Sequence, residues 1–575
     1  MKTSPALPHR RRRVVAVLAP LPVAALAALS GCGPRSPAAP AGVAVAAPPT
    51  GAAAFDGDPI FSDATAASGI GYRWTIAGKR PLTILQTIGN GAAFLDYDND
   101  GNLDLLLVGP KPALYKGDGE GNFTNTSAAA GLDKITGHFL GCAVGDVDND
   151  GFEDVYLSAY RGGALLHNAN GKFRDVTAGS GLSDLPWGTS CALGDVNNDG
   201  RLDLYVCGYV QFTPGKTQPQ LCDYGGRQSA CGPRFYKPER GRLFLNAGGN
   251  RFRDVTRAWN AHTVSGKGLG ATFADYDNSG RQSLAAANDE MAGDLLQNKG
   301  GTFTNVGATT GVAYDSEGNV HGGMGVDWGD YDNDAKLDLF VATFQHENKC
   351  VYRNESGGFF TESSAALGLA PAVPFVTFGA KWLDYDNDGY LDLILANGHV
   401  QDNIGDIDKS ASYRQPTQVF KNEAGARFRD VSAQLASSAR RPIMGRGLCI
   451  GDYDNDGRVD ALVVDGEGAP LLLHNETKTT AGWLSCRLVG AKSNRDGVGA
   501  LVTVASGGIK QTRRCGTDGS YLSASDKRVH FGLGTGKPPA SVKVNIKWPS
   551  GAKNTYAAVP IGRVVTLREG GNKAE

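Results

Sequence analysis

Net charge is the first thing this sequence lacks. Its 57 lysines and arginines stand against 59 aspartates and glutamates, a formal charge of -2 over 575 residues. Five of those cations, Lys2 and Arg10 to Arg13, lie in an N-terminal segment with the character of a removable leader. The mature surface is therefore acidic unless metal neutralises it, which argues against nucleic acid as a partner. A membrane span is also lacking: the apolar run Val14 to Leu29 is short and broken by Pro20 and Pro22. No Ser/His/Asp set, metalloprotease helix or phosphate loop is written in one stretch. A site assembled from separate segments would escape that search.

What is present is one acidic phrase, written seven times. The first copy, Asp96-Tyr97-Asp98-Asn99-Asp100-Gly101-Asn102-Leu103-Asp104, puts carboxylates at positions one, three, five and nine and glycine at six. Later copies open at Asp146, Asp195, Asp275, Asp330, Asp384 and Asp452, a spacing that signals a repeat architecture. A hard cation such as calcium takes six to eight oxygen ligands, and carboxylates packed this closely otherwise repel one another. The expected side-chain ligands are Asp96, Asp98, Asp100 and Asp104, with the Asn102 carbonyl adding a backbone oxygen and Gly101 allowing the turn. Their equivalents are Asp146, Asp148, Asp150 and Asp154; Asp195, Asn197, Asp199 and Asp203; Asp330, Asp332, Asp334 and Asp338; Asp384, Asp386, Asp388 and Asp392; and Asp452, Asp454, Asp456 and Asp460. The fourth copy is degraded: Asp275 and Asp277 remain, but Ser279 and Ser283 replace two carboxylates, so weak binding or none is expected there. About six calcium sites follow.

An EF-hand would place a bidentate Glu at position twelve and helices on both sides. Here position twelve is Leu107, Leu157, Val206, Val341, Leu395 or Val463, and the flanks read as strands, as in Leu103-Asp104-Leu105-Leu106-Leu107-Val108. Ordinary Asp/Asn/Gly turns explain a single copy but not six.

Between the loops runs a second motif, clear in Phe173-Arg174-Asp175-Val176-Thr177, Phe252-Arg253-Asp254-Val255-Thr256 and Phe428-Arg429-Asp430-Val431-Ser432. An apolar strand ending in Asn or Lys-Gly precedes each copy. One unit is then strand, acidic loop, strand, strand, turn, strand: a four-stranded antiparallel blade. Phe61-Ser62-Asp63 precedes every loop and Leu471-Leu472-Leu473-His474-Asn475 follows the last, so joining the ends completes a seventh blade and removes open sheet edges. The expected fold is all-β, a seven-bladed propeller over residues 55–476 with an insertion at 208–242. A small β-sandwich-like domain over 481–570 and a tail at 571–575 follow. Strands are expected there at Trp483 to Val489, Ala500 to Ala505, Val542 to Trp548 and Val564 to Arg568.

These units resemble the FG-GAP or VCBS repeats of integrin α-subunit propellers, and the order of segments resembles bacterial relatives of cartilage acidic protein. Beyond the loops the resemblance is carried by Cys231-Gly232-Pro233, Ala287-Asn288-Asp289, Gly323-Met324-Gly325 and Asn397-Gly398-His399-Val400. Asn494 to Ala500, His530 to Gly534 and Trp548 to Gly551 resemble an ASPIC/UnbV module, which implies an architecture but no chemistry. The resemblance implies calcium in every loop except the fourth. In the fifth, Ala335 replaces the glycine and leaves the loop geometry open.

At the N-terminus, Leu29-Ser30-Gly31-Cys32 resembles a bacterial lipobox. Residues 1–31 then form a lipoprotein signal peptide, Cys32 the lipidated N-terminus, and 32–54 a Pro/Ala-rich tether. An ordinary cleavage site with an incidental cysteine is the alternative. Gly33 implies the outer membrane by resemblance to lipoprotein sorting. In the insertion, Cys222 and Cys231 are expected to form a disulfide, while Cys486 and Cys515 allow either a bridge or two thiols. The expected function is a non-catalytic, lipid-anchored envelope protein binding a protein or glycan ligand. A polysaccharide lyase or hydrolase and a structural envelope component are the alternatives.

Overall fold

The computed structural model describes residues 57–182, 185–534 and 536–575. The leader, Cys32 and the tether lie outside the described residues. Among the described residues of the repeat region, seven sheets carry four strands each along the main path, and each acidic loop joins the first strand to the second. In the first sheet these strands are Ala92–Leu95, Asp104–Leu107, Ala113–Gly117 and Phe123–Asn125. In the last, strand Phe61–Asp63 pairs with Leu471–Asn475, so the two ends of the repeat region share one sheet.

Alternation explains how the sheets stack. Successive residues of a strand point to opposite faces, and both faces of these strands are apolar. Leu105 and Leu107 enter a core shared with Cys449, Leu462 and Leu472 of the last sheet. Leu106 enters a core shared with Val144, Val155 and Leu166 of the second. The same sharing recurs between every consecutive pair of sheets, so the ring of cores closes on itself. Burying each such leucine contributes about 1.5–3 kcal/mol.

A buried asparagine at the end of the third strand ties each sheet to its predecessor. Asn168 Nδ2 donates to the carbonyl of Tyr97 at 2.8 Å and to that of Glu153 at 3.0 Å. Asn246, Asn298, Asn354, Asn422 and Asn475 repeat the contact. In the first sheet Gly117 holds this place, where no side chain is available for such a tie. The strand at Phe61–Asp63 joins the chain ends instead.

The C-terminal module has a three-stranded and a four-stranded sheet around one core. Its strands include Trp483–Val489, Leu501–Ser506, Ser541–Lys547 and Val564–Arg568, close to expectation. The sequence reading missed Ile509–Arg514, Val529–Gly532 and Lys553–Pro560. The tail is tied down, with Thr566 and Glu575 exchanging backbone hydrogen bonds of 2.8 and 3.1 Å.

The boundary at 477–480 does not separate two independent bodies. The segment from Thr517 to Asp526 leaves the module and threads the centre of the ring. Thr517 Oγ1 donates to Val144 O and the Asp518 carboxylate accepts from Phe273 N, both at 2.8 Å. Ser520 bridges to Val326, and Ala524 bridges to Ala93. Leu522 N donates to Ser190 Oγ at 2.9 Å, Ser520 Oγ accepts from Ala380 N at 3.2 Å, and Asp526 N donates to Ile450 O at 3.0 Å. It thus meets the innermost strand of all seven sheets, and Tyr521 and Leu522 are wholly buried.

Cysteine pairing follows the geometry. Cys222 and Cys231 are bonded within the insertion, which carries a short hairpin. Cys486 and Cys515 are separate buried thiols, which resolves the alternative left by the sequence against a bridge: both sit as small apolar groups in the module's core.

Candidate metal centres and the surface they build

Each acidic loop is shaped by its own backbone. In the first, Gly101 N donates to Asp96 Oδ2 at 3.2 Å and Asn102 N to Asp100 Oδ1 at 2.9 Å. Asn99 and Gly101 take left-handed φ of 58° and 92°. Asp104 binds on both sides, accepting from Tyr97 N and Gly117 N at 2.9 Å each, and so fastens the loop to the third strand. The pattern recurs at Asp146, Asp195, Asp384 and Asp452, which accept from Gly151, Gly200, Gly389 and Gly457. In the fifth loop Ala335 adopts the same turn with φ of 68°, and its N–H donates to Asp330 at 3.1 Å. The missing glycine costs strain, not the loop.

The arrangement draws carboxylates together. Oxygens of Asp96, Asp98 and Asp104 lie within 4.8 Å of one another, as do those of Asp146, Asp148 and Asp154, and of Asp330, Asp332 and Asp338. Five buried oxygens, Asp96 Oδ1, Asp98 Oδ1, Asp330 Oδ1, Asp386 Oδ1 and Asp452 Oδ1, have no hydrogen-bond partner in the protein. Convergent, under-satisfied carboxylate oxygens fit a hard divalent cation. Burial drives the carboxyls upward: Asp104, Asp146 and Asp384 to about 8, Asp330 and Asp452 to about 7, with neighbouring loop carboxylates adding to the rise.

A third-strand position, whose equivalence at His167 and His474 the sequence shows and reads as structural, overlooks each loop. Lys116 pairs with Asp98 and, at 2.8 Å, with Asp100. Arg353 Nε lies 2.9 Å from Asp332, and Lys421 pairs with Asp386 and, at 3.1 Å, with Asp388. His167 lies 3.0 Å from Asp154 and His474 lies 2.9 Å from Asp454. These histidines give the second and seventh loops a nitrogen beside the oxygens, as in the groups Asp148, Asp150, His167 and Asp454, Asp456, His474. In the third loop Leu245 holds this place, and Asn197 Nδ2 donates to Asp199 at 2.9 Å. The signal was legible only as the residue before the third-strand asparagine.

The fourth loop is satisfied from within the protein. Asp275 Oδ1 accepts from Gly280 N at 3.1 Å and Asp275 Oδ2 meets Lys547 Nζ of the C-terminal module at 2.7 Å. Gln297 Nε2 donates to Asp277 at 2.7 Å.

Position-four asparagines link the loops into a surface. Asn99, Asn149, Asn198, Asn333 and Asn387 donate Nδ2 to the carbonyls of Gly151, Gly200, Gly280, Gly389 and Gly457 in the following loop, at 2.8 to 3.0 Å. Asn455 Nδ2 reaches Asn102 Oδ1 at 3.2 Å and ties the seventh loop to the first. Their free oxygens meet the C-terminal module: Arg487 donates to Asn99, Arg495 N to Asn149 and Arg528 to Asn455, at 3.0 Å each. His530, held by burial down to about 3 and so neutral, donates from Nε2 to Asn387 Oδ1 at 2.8 Å. Lys527 bridges Asp496 and Glu153 at 2.6 and 3.0 Å. The module therefore sits on the acidic-loop end of the ring.

A model described as FG-GAP-like repeat matches residues 96–157, 146–206 and 330–395, and one described as ASPIC and UnbV matches 490–574. The chain is 25% identical over 295 residues to cartilage acidic protein 1 of Xenopus tropicalis, covering 49% of this chain and 42% of that protein. It is 26% identical over 322 residues to the Homo sapiens protein of the same name, covering 53% and 44%. The match thus spans less than half the length of these relatives. A solved Agrocybe aegerita lectin structure, on recognition of non-reducing terminal N-acetylglucosamine, aligns at 14% identity. It covers 68% of this chain and 94% of that one, with a TM-score of 0.40.

Proposed function

We propose that this chain, built of FG-GAP-like repeats and an ASPIC and UnbV domain, is an exported, calcium-loaded recognition module that holds a protein or glycan ligand at the cell envelope. The observation that carries the reading is the set of buried carboxylate oxygens without protein partners in the first, fifth, sixth and seventh loops. Calcium supplies positive charge to those oxygens; the chain's part is to hold them convergent and to lock the loops to one another and to the C-terminal module. With the module on the loop end and its 517–526 segment in the channel, the opposite end and the ring's outer edges are left for ligand. Anchorage through acylated Cys32, with an outer-membrane location, belongs to the same reading and rests on the order of the leader segments.

The test is metal counting by native mass spectrometry on calcium-saturated protein, followed by a glycan and protein array screened with calcium and with chelator. Five to six bound ions and at least one calcium-dependent hit are expected. Product analysis of any glycan hit separates binding from cleavage, and a count near zero returns the loops to ordinary turns. Mass spectrometry of the mature N-terminus checks Cys32, where an unmodified chain starting elsewhere would remove the anchor.

A further inference from the structure

Four sequence stretches play no part in the metal loops: Cys231-Gly232-Pro233, Ala287-Asn288-Asp289, Gly323-Met324-Gly325 and Asn397-Gly398-His399-Val400. The structure brings all four to one cavity of 230 Å³, where Cys231, Asp289, Met324 and Val400 each form part of the wall. The cavity lies at the ends of the sheets away from the acidic loops: Asp289 stands near the far end of strand Ser283–Met291, whose first residue closes the fourth loop. The disulfide-bonded insertion forms one side.

Three carboxylates face this space. Asp289 Oδ2 accepts from the Tyr209 hydroxyl at 2.7 Å. Glu347 Oε2 accepts from Gly322 N at 2.9 Å and from Phe344 N at 3.0 Å, and Glu290 Oε2 accepts from Arg234 N at 3.1 Å. A Cβ built on Gly322 would stand 3.2 Å from Asp289 Oδ1 and 3.7 Å from Glu347 Oε2, so two of the carboxylates converge on one glycine. Among the described residues none of the three forms an ion pair with a cationic side chain. Lys349 donates from Nζ to the carbonyls of Phe344 and Glu347 at 2.8 and 3.3 Å, and its charge acts on Glu347 from a distance, as that of Lys267 acts on Asp289. The Arg234 guanidinium rests over the Phe235 ring. The rest of the wall is apolar or aromatic, including Ile84, Leu269, Phe344 and Phe378.

Confined carboxylates without a direct cationic partner are costly, and apolar walls favour a ligand with a hydrocarbon body. We propose that this cavity binds a primary ammonium group carried on an apolar stem. The inference rests on the reading of the propeller as a recognition module and names the chemistry of its ligand. Burial, reinforced by Glu290 and Glu347 and opposed by the Tyr209 hydroxyl and Lys267, holds Asp289 up to about 7, so at pH 7 about half of the free sites carry a proton that an arriving cation displaces.

Calorimetric titration of the calcium-loaded full chain tests this, using cadaverine, an otherwise neutral peptide with one lysine, and cellobiose. At pH 7 saturable binding of at least one amine probe is expected, with proton release read from the dependence of the heat on buffer. Cadaverine binding more tightly marks a free amine as ligand; the peptide binding more tightly marks a protein-borne lysine. Asp289→Asn and Glu347→Gln should each weaken binding at least tenfold. Asp133→Asn, exposed and outside the cavity, should leave it unchanged. Should the first two variants fail to fold, Glu290→Gln at the exposed rim should still weaken binding several-fold. Failure of both amine probes, binding indifferent to these substitutions, or cellobiose binding that they abolish overturns the inference. A calcium-dependent array hit alongside such a failure would leave the recognition reading standing.

Discussion

The sixth and fourth acidic loops share a backbone turn and differ in who satisfies their carboxylates. In the sixth, Asp384, Asp386, Asp388 and Asp392 crowd together, and Asp386 Oδ1 is buried without a partner. Lys421 leans over the third and fifth positions, and burial with mutual repulsion holds Asp384 up to about 8. In the fourth, serines replace two carboxylates, and Lys547, Gln297 and the Gly280 amide supply the donors. The comparison teaches that a degraded loop keeps its place in the ring once the protein provides a fixed ammonium. A full loop carries more negative charge than its surroundings neutralise.

Removing calcium should widen that difference more than any substitution. Binding confined to the folded state contributes RT ln(1 + [L]/Kd), about 2.7 kcal/mol per site at a hundredfold excess over Kd. Chelation should therefore lower Tm markedly, and the pH dependence has a definite sign. The loop carboxyls raised to about 7 or 8 exceed their unfolded value near 3.9. Between those values the folded chain holds the extra protons, so the stability these carboxyls contribute to chelated protein is fully present below about pH 3.9 and is lost as pH rises through about 7 to 8. Thermal unfolding from pH 5 to 8, with calcium and with chelator, should show the calcium increment growing with pH. An increment flat across that range would contradict the repulsion argument.

Next in size is a pair of substitutions. Asp386→Ala should cost about one site's linkage, roughly 2.7 kcal/mol at the same excess, and most of the loss should vanish when both proteins are chelated. Asp277→Ala, which releases Gln297 and the Ser279 amide, should cost about 1 kcal/mol with or without calcium. Denaturant unfolding of both variants under both conditions decides it, and equal calcium-dependent losses would erase the distinction between the loops.

The smallest effect sharpens the comparison from the other side. Lys547→Met should cost about 1 kcal/mol because it leaves Asp275 without its cation while the Gly280 amide remains. That loss should be the same in calcium and in chelator, with the metal count unchanged by native mass spectrometry. A variant that gains an ion would show that the lysine excludes metal from the fourth loop.

Much of this was legible in the chain. Carboxylates at fixed odd positions, repeated at blade-sized spacing, specify the loops because their geometry is local: each is held by its own amides within a few residues. Continuously apolar strands specify sheets buried on both faces, and the strand at Phe61–Asp63 specifies closure because a partial blade at each end has one way to complete itself. The docking of the C-terminal module, its thread through the channel, the Lys547 contact and the cavity at Asp289 were decided only by tertiary structure. Their partners lie tens to hundreds of residues apart, and no local periodicity records which surface a loop will meet once the ring has formed.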